Sequence, residues 1–229
     1  WELDTGILAD GELIIMHDDT FERTTNVADI FPGREKALLH EFTFDEIQKL
    51  EAGSHFVEKD PFGQIAAGGV QKGLLNDYAK EPVPTLKQAL VFTKDNSWKV
   101  NVEIKSIRAT RKKMTIVEKT VAMIQSMNME TSVLISSFNH NYLRKAKQLA
   151  PNIETGWLTV AGLKLHRSSV KNDQCEAYHP SLIGLTKNKV NHYQSQGIGV
   201  NVWTVNKKED MQKLIDWNVN GIITDFPQL

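Results

Sequence analysis

The chain is poor in cysteine, because Cys175 is the only one among 229 residues. An intrachain disulfide is therefore impossible, and neither a cysteine-based zinc site nor a CxxC redox pair can be built. Long apolar runs are also missing, since no window approaches the roughly 18 apolar residues that a membrane span requires. The printed sequence thus excludes a disulfide-stapled scaffold and contains no integral membrane segment.

Charge of one sign is not in excess either. The 27 basic and 28 acidic residues give a formal net charge of −1, so no global field favours nucleic acid as a partner. The densest basic run, at residues 108–113, is short and is interpreted as a solvated loop before a helix. No glycine-rich GxGxxG or GxxxxGK[ST] run follows any strand candidate, which argues against a nucleotide-binding fold.

Linkers and low-complexity runs are absent, so we expect one domain over residues 1–229. With 41% apolar residues, a chain of this length can bury a substantial core. The segment at about 54–81 loses periodicity while glycines accumulate. Such a length inside a compact domain indicates a functional loop or a small insertion.

The first twenty residues are predicted to form a β-hairpin. Two runs of strand-forming residues, 1–8 and 13–17, flank Asp10 and Gly11, and Asp-Gly is typical of a two-residue turn. With that turn, the numbers of facing residues sum to 21.

This pairing would place Asp4 opposite His17 and Glu2 opposite Asp19. Cross-strand partners share a face, so carboxylates and an imidazole would gather on one surface. A solvated antiparallel face is the simpler alternative for charged hairpin residues. The strands are too apolar for a free-standing hairpin, which favours a cluster at the mouth of a larger sheet.

Strands and helices alternate through the rest of the chain. Strands are predicted at 99–105, 133–138, 154–160, 175–179, 199–205 and 221–225, and helices at 85–92, 115–127, 139–149, 186–196 and 207–217. Such alternation is typical of a parallel α/β sheet, and a TIM (β/α)8 barrel fits better than a doubly wound fold. Together with the strand at 1–8, these are seven candidates for barrel strands, one short of eight. A barrel that lacks one strand would have open apolar edges, which proteins avoid. We therefore expect the first strand and helix of the barrel to precede Trp1.

Polar residues end several of these strands, where barrel enzymes place their sites. Glu103 and Lys105 share a face, and the apolar Val102 and Ile104, which alternate with them, suit the outer layer. Glu2, Asp4 and Glu103 would then offer hard oxygen ligands, a set that favours Mg²⁺ or Ca²⁺. A cation with a lysine and a histidine suits a phosphate ester. A buried Glu103–Lys105 ion pair and an ordinary strand-end His17 are the competing interpretations.

Motifs spread over nearly the whole chain resemble the glycerophosphodiester phosphodiesterase family. They are Glu2-Leu-Asp4, His17-Asp18 followed by Arg23-Thr-Thr-Asn26, Glu51-Ala-Gly-Ser54, Val83-Pro-Thr-Leu86, Val102-Glu-Ile-Lys105, Ile135-Ser-Ser-Phe138, Val202-Trp-Thr-Val-Asn206 and Gly221-Ile-Ile-Thr-Asp-Phe-Pro227. The resemblance implies a TIM barrel that hydrolyses glycerophosphodiesters, such as glycerophosphocholine or glycerophosphoethanolamine, to glycerol 3-phosphate and an alcohol.

The resemblance also implies roles for residues. The carboxylates of Glu2, Asp4 and Glu103 would be the metal ligands, and the metal would be Ca²⁺ or Mg²⁺. His17 would be one of two catalytic histidines, Lys105 would bind the phosphate, and Trp203 would line the pocket, although a packing role for Trp203 is nearly as good an interpretation.

One departure from the family pattern is clear. The family opens with a strand ending in His-Arg-Gly and then a Pro-Glu-Asn run, and neither precedes Trp1 in the printed sequence. Those segments carry the second histidine, an arginine and a further metal ligand. Among the remaining histidines, His179 matches a pocket position better than a catalytic one.

Two other functions on the same barrel stay open at this point. They are a non-catalytic binder of phospholipid headgroups and a lysophospholipase D. The headgroup, the oligomeric state and the compartment cannot be read from the sequence, although the loop at residues 27–33 resembles exported members of the family.

Overall fold

The computed structural model describes residues 1–107, 114–160 and 169–229. It divides into two compact units, one formed by Leu3–Asn96 and a larger one formed by Trp1–Glu2 with Ser97–Leu229. The basic run at 108–113 lies outside the described residues. Within them, the helices are all too short or too polar to cross a membrane. The expectation of one domain over 1–229 stays a prediction.

The smaller unit begins with a hairpin and continues with short helices. Its elements are β1 (Glu2–Ile7, whose first residue belongs to the larger unit), β2 (Leu13–Ile15), α1 (Val27–Ile30), α2 (Phe44–Ile47), α3 (Ser54–Lys59), α4 (Leu75–Ala79) and α5 (Leu86–Asp95), with single 3₁₀ turns at Leu39–Glu41 and Lys72–Leu74. The glycine-rich segment predicted as a loop or insertion thus contains helices α3 and α4. Their aromatic side chains Phe56 and Tyr78 meet edge to face, with ring centroids 6.4 Å apart.

The hairpin forms, but its predicted register is wrong by one residue. Thr5 faces Ile15 and Ile7 faces Leu13, so facing numbers sum to 20. The loop has three residues rather than two, because Gly11 has a positive φ of 88° and closes the turn from the left-handed region. Asp4 consequently accepts a hydrogen bond at its backbone carbonyl from the N–H of Met16, at 3.0 Å, and does not face His17.

A buried cluster of apolar residues organises the smaller unit around the hairpin. Its members are Leu8, Ile14, Met16, Phe21, Val27, Leu39, Phe42, Ile47, Leu50 and Val83. Phe21 and Phe42 meet edge to face at 5.2 Å between ring centroids. Thr85 starts α5 as predicted, since its hydroxyl accepts from the Gln88 N–H at 3.1 Å and the Gln88 side chain accepts from the Thr85 N–H at 2.8 Å.

Strands and helices alternate through the larger unit. They are β3 (Val100–Ile104), α6 (Thr115–Ser126), β4 (Val133–Ser137), α7 (His140–Leu149), β5 (Glu154–Thr159), α8 (Ser169–Asn172), β6 (Ala177–Pro180), α9 (Lys187–Gln194), β7 (Gly199–Val202), α10 (Lys208–Asp216) and β8 (Gly221–Ile222). Each predicted strand is present with bounds shifted by a few residues, and the alternation explains why the sheet is parallel.

The strands of this unit follow one another in the order β3-β4-β5-β6-β7-β8, and each neighbouring pair is parallel. The start of the chain pairs beside β3, because the Trp1 amino group donates to the Lys99 carbonyl at 3.0 Å and the Asn101 N–H donates to the Trp1 carbonyl at 2.8 Å. This arrangement confirms the predicted α/β fold class with a predominantly parallel sheet.

Side chains alternate along β3 as the sequence predicts. Val102 and Ile104 are fully buried, and the helices supply a matching apolar face, since Ile116, Val117, Val121 and Ile124 of α6 are buried at helical spacing. Glu103 therefore points to the other face of the sheet, because neighbours along a strand point in opposite directions.

A histidine and an asparagine fill the middle of that second face. The His179 Nε2 and Asn201 Nδ2 atoms are 2.9 Å apart, and a Cβ at Gly156 would lie only 2.6 Å from His179 Nε2. Gly156 therefore makes the space that the imidazole occupies. Burial lowers the pKa of His179 to about 4, so this side chain is neutral at physiological pH.

The burial of His179 predicts a pH dependence of stability. The unfolded chain binds a proton near the ordinary pKa of 6.5 while the folded protein resists it down to about 4. Stability should therefore fall as the pH is lowered from 6.5 to 4, with a contribution from this residue of about 1.4 kcal/mol per pH unit.

Urea unfolding of the wild type and of His179→Gln at several pH values measures this slope. We expect a shallower dependence in the variant, with equal m-values as a check that both proteins unfold to the same extent. Identical slopes would contradict the effect assigned to the buried imidazole.

Candidate active site

The side chains of Glu103 and Lys105 meet at the carboxyl end of β3. Glu103 is buried, 8% exposed, and its Oε1 atom lies 3.1 Å from the Lys105 Nζ atom. Both side chains retain limited solvent access, 11% for Glu103 and 22% for Lys105. A carboxylate and an ammonium so placed partly neutralise each other.

Three carboxylates gather where the sequence predicts a metal site. Glu2, Asp4 and Glu103 each offer an oxygen, and these oxygens lie within 4.8 Å of one another. Glu2 and Asp4 are two residues apart on β1 and therefore share a face. Like charges this close repel one another. A divalent cation relieves that repulsion, and an all-oxygen donor set suits Ca²⁺ or Mg²⁺.

Trp203 follows β7 and is held by two contacts. Its indole N–H donates to the His179 carbonyl at 2.8 Å, and its ring meets Phe138 edge to face with centroids 5.5 Å apart. Phe138 follows β4 and is 40% exposed. The two rings therefore form a fixed aromatic surface at the ends of β4 and β7.

The other polar residues predicted at strand ends have structural contacts. Ser137 donates from its hydroxyl to the Ile104 carbonyl at 2.7 Å, which ties β4 to β3. The Asn206 carboxamide oxygen accepts from the Thr224 hydroxyl at 3.1 Å and from the Asp225 N–H at 3.0 Å. Its amide nitrogen donates to the Asp225 carboxylate at 2.7 Å. These residues join the ends of strands, and we assign them no chemistry.

His17 lies just beyond β2 in the smaller unit, with 67% of its side chain exposed. Its Nδ1 atom is 2.7 Å from an oxygen of Asp18. The predicted route to the acidic cluster, a cross-strand pair with Asp4, is wrong because of the hairpin register. The assignment of His17 as catalytic stays a proposal.

The contact between His17 and Asp18, and that between Asp18 and Arg23, were not predicted from the sequence. Arg23 donates to both oxygens of Asp18, from Nε at 2.6 Å and from Nη2 at 2.8 Å. These contacts, chiefly the hydrogen bond from Arg23, lower the pKa of Asp18 to about 2. The signal in the sequence was the His17-Asp18 pair with Arg23 five residues after Asp18. Hydrophobic periodicity gives no information about contacts between such polar residues.

Solved structures of phosphodiesterases share this fold. A glycerophosphodiester phosphodiesterase from Parabacteroides distasonis matches with a TM-score of 0.75 and 22% identity, over 99% of this chain and 79% of that one. A phosphodiesterase from Oleispira antarctica, solved in complex with the product sn-glycerol-3-phosphate, matches with a TM-score of 0.78 and 22% identity, over 99% of this chain and 81% of that one.

Sequence comparison gives the family. The glycerophosphoryl diester phosphodiesterase family model matches residues 2–229. A glycerophosphodiester phosphodiesterase from Caldanaerobacter subterraneus is 34% identical over 99% of this chain and 82% of its own length. The chain belongs to the glycerophosphoryl diester phosphodiesterase family and is therefore an enzyme of the phosphoric diester hydrolase class.

The carboxylate cluster predicts a metal site whose affinity can be measured. We expect the full-length protein to bind Ca²⁺ or Mg²⁺ in isothermal titration calorimetry, and Glu103→Gln to weaken binding by at least about tenfold, because it removes one charged ligand.

Glu118→Gln is the matched control for this experiment. Glu118 also pairs with a lysine, Lys145, at 3.0 Å, but it lies on α6 outside the carboxylate cluster. Equal affinities for the wild type and Glu103→Gln would contradict a metal site at this cluster.

Proposed function

We propose that this protein hydrolyses glycerophosphodiesters, such as glycerophosphocholine or glycerophosphoethanolamine, to sn-glycerol 3-phosphate and an alcohol in a reaction that depends on a divalent cation. The observation that carries the proposal is the cluster of Glu2, Asp4 and Glu103 beside the ammonium of Lys105. Family membership supplies the reaction class, and the cluster supplies a place for an anionic ester.

The carboxylates of Glu2, Asp4 and Glu103 would hold the cation. Two oxygens bound to one ion cannot be farther apart than twice the ligand distance, which is roughly 5 Å for Ca²⁺ and about 4.2 Å for Mg²⁺. Oxygens that lie within 4.8 Å of one another can converge on either ion, so the proposal covers both Ca²⁺ and Mg²⁺. When bound, the cation supplies Lewis-acid stabilisation of charge on the phosphate oxygens.

Lys105 would bind a non-bridging oxygen of the phosphate. Its Nζ atom lies 3.1 Å from Glu103, so the phosphate would sit next to a carboxylate that also holds the cation. An ammonium acts as a point charge with three donors.

His17 would transfer a proton in the reaction. Asp18 engages the Nδ1 atom, so exchange with the substrate falls to Nε2. Hydrolysis requires one proton to leave the attacking hydroxyl and one to reach the departing alkoxide. His17 would perform one of these two transfers.

Trp203 and Phe138 would contact the organic part of the substrate. Their edge-to-face arrangement at 5.5 Å presents aromatic faces, and such faces attract both apolar groups and quaternary ammonium groups. An aromatic surface therefore suits a glycerophosphodiester with choline as its alcohol.

A solved relative supports the choice of product. The Oleispira antarctica phosphodiesterase contains sn-glycerol-3-phosphate in its structure. We carry that product to this chain because a relative at 34% identity is named glycerophosphodiester phosphodiesterase.

A phosphorus NMR assay with glycerophosphocholine tests the proposal in the full-length protein. We expect release of glycerol 3-phosphate, abolition of activity by EDTA with recovery on added Ca²⁺, and a loss in kcat/KM of at least about 100-fold in Glu103→Ala. That loss corresponds to the several kcal/mol that metal charge stabilisation contributes.

The control variant Glu118→Gln should keep wild-type activity. Activity that survives both EDTA and Glu103→Ala would overturn the proposal. Binding of glycerophosphocholine without turnover would favour a headgroup binder, and turnover of only acylated substrates would favour a lysophospholipase D.

A further inference from the structure

His17, Asp18 and Arg23 form a short chain of charge-assisted hydrogen bonds. One Asp18 oxygen is 2.7 Å from His17 Nδ1 and also accepts from Arg23 Nη2 at 2.8 Å. The other oxygen accepts from Arg23 Nε at 2.6 Å. The guanidinium therefore grips Asp18 through two parallel bonds, the strongest geometry for this pair of groups.

This arrangement decides which ring nitrogen of His17 carries the proton. An ionised carboxylate only accepts hydrogen bonds, so Nδ1 must be the protonated atom in the neutral imidazole. The lone pair then resides on Nε2, the atom that faces away from Asp18. Without such a partner, a side chain that is 67% exposed would rotate and would sample both tautomers.

The segment that carries the three residues is anchored at its middle. Phe21 lies between Asp18 and Arg23, is fully buried and packs edge to face on Phe42. Its carbonyl accepts from the Thr25 hydroxyl at 2.7 Å. The backbone between Asp18 and Arg23 is therefore fixed, and the ion pair rests on a rigid frame.

Arg23 invites a different interpretation as a phosphate-binding residue. Its Nε and Nη2 atoms, which form one side of the guanidinium fork, are both used by Asp18. A phosphate on that side would have to displace the carboxylate. The contacts thus assign Arg23 to Asp18 and not to the substrate.

An ordinary surface ion pair is the alternative to a functional one. Exposed pairs contribute about 0–1 kcal/mol to stability and nothing to turnover. The two interpretations therefore differ in what they predict for kcat, which only a positioning role would change.

We propose that Asp18 is a positioning residue that holds His17 in the Nδ1-protonated tautomer, with Nε2 turned to the reaction, and that Arg23 positions Asp18. The inference rests on the proposed function, in which His17 transfers a proton. It adds two residues to the machinery that do not touch the substrate.

Kinetics of the full-length variants Asp18→Ala, Asp18→Asn and Arg23→Lys test this positioning role with glycerophosphocholine. We expect kcat to fall by roughly 10- to 100-fold in Asp18→Ala, the loss typical of hydrogen-bond partners of metal-bound histidines, with KM within about twofold of wild type. Asp18→Asn keeps an acceptor oxygen without the charge. Its kcat should lie between those of the wild type and Asp18→Ala. Arg23→Lys cannot form both hydrogen bonds to Asp18, so its kcat should also be lower than that of the wild type while its KM stays unchanged.

Arg34→Lys is the matched control. Arg34 lies in the same unit and pairs with Glu46 at 2.6 Å, so the same substitution changes an arginine–carboxylate pair that does not include Asp18. We expect its kcat to equal that of the wild type. A rise in KM with unchanged kcat in Arg23→Lys would assign Arg23 to the phosphate and overturn the inference.

Nitrogen NMR of the imidazoles gives a readout that does not depend on activity. The His17 signal is identified by its loss in His17→Gln. We expect the neutral side chain of the wild type to be protonated at Nδ1, and Asp18→Asn to retain part of this preference. Protonation at Nε2 in the wild type would overturn the inference even if the protein hydrolyses the substrate. If the wild type is inactive but is protonated at Nδ1, the result would contradict the proposed function and would still support the effect of Asp18 on the His17 tautomer.

Discussion

The repulsion among the carboxylates of Glu2, Asp4 and Glu103 is the constraint on which the site depends. Their oxygens lie within 4.8 Å of one another, and like charges this close together repel one another unless a positive charge lies between them. Lys105 supplies one such charge, at 3.1 Å from Glu103. The remaining negative charge supports the proposed binding of a divalent cation and, through that cation, of a phosphate.

The period of the β-strand makes this cluster possible. Val102 and Ile104 are buried on one face of β3, and this fixes Glu103 and Lys105 on the other face. The pattern can be read from the sequence, because alternation of apolar and charged residues is typical of a strand that buries one face against helices. The same alternation places Glu2 and Asp4 beside each other on one face of β1.

The parts that could not be predicted from the sequence depend on single-residue detail or on side-chain contacts. The hairpin register differs by one residue because Gly11 closes a three-residue loop, and the two loop lengths are equally compatible with an Asp-Gly pair. Helices α3 and α4 were not predicted, because the glycines between them interrupt the periodicity of apolar residues in this segment. The grip of Arg23 on Asp18 is a side-chain geometry, which no hydrophobic pattern encodes.

Two histidines illustrate how environment separates chemistry from structure. Burial lowers the pKa of His179 to about 4, and its ring fills the space above Gly156, so this side chain serves the fold. His17 is exposed and is oriented by an ionised carboxylate. The first environment keeps the imidazole neutral at physiological pH, and the second supports the proposed role of His17 in proton transfer.

A crystal structure of the full-length protein with Ca²⁺ and sn-glycerol 3-phosphate tests the central claim most directly. We predict one ion within about 2.3–2.6 Å of oxygens from Glu2, Asp4 and Glu103, with the phosphate bound to that ion and to Lys105. An ion and a phosphate bound elsewhere, with these three carboxylates free of both, would contradict it.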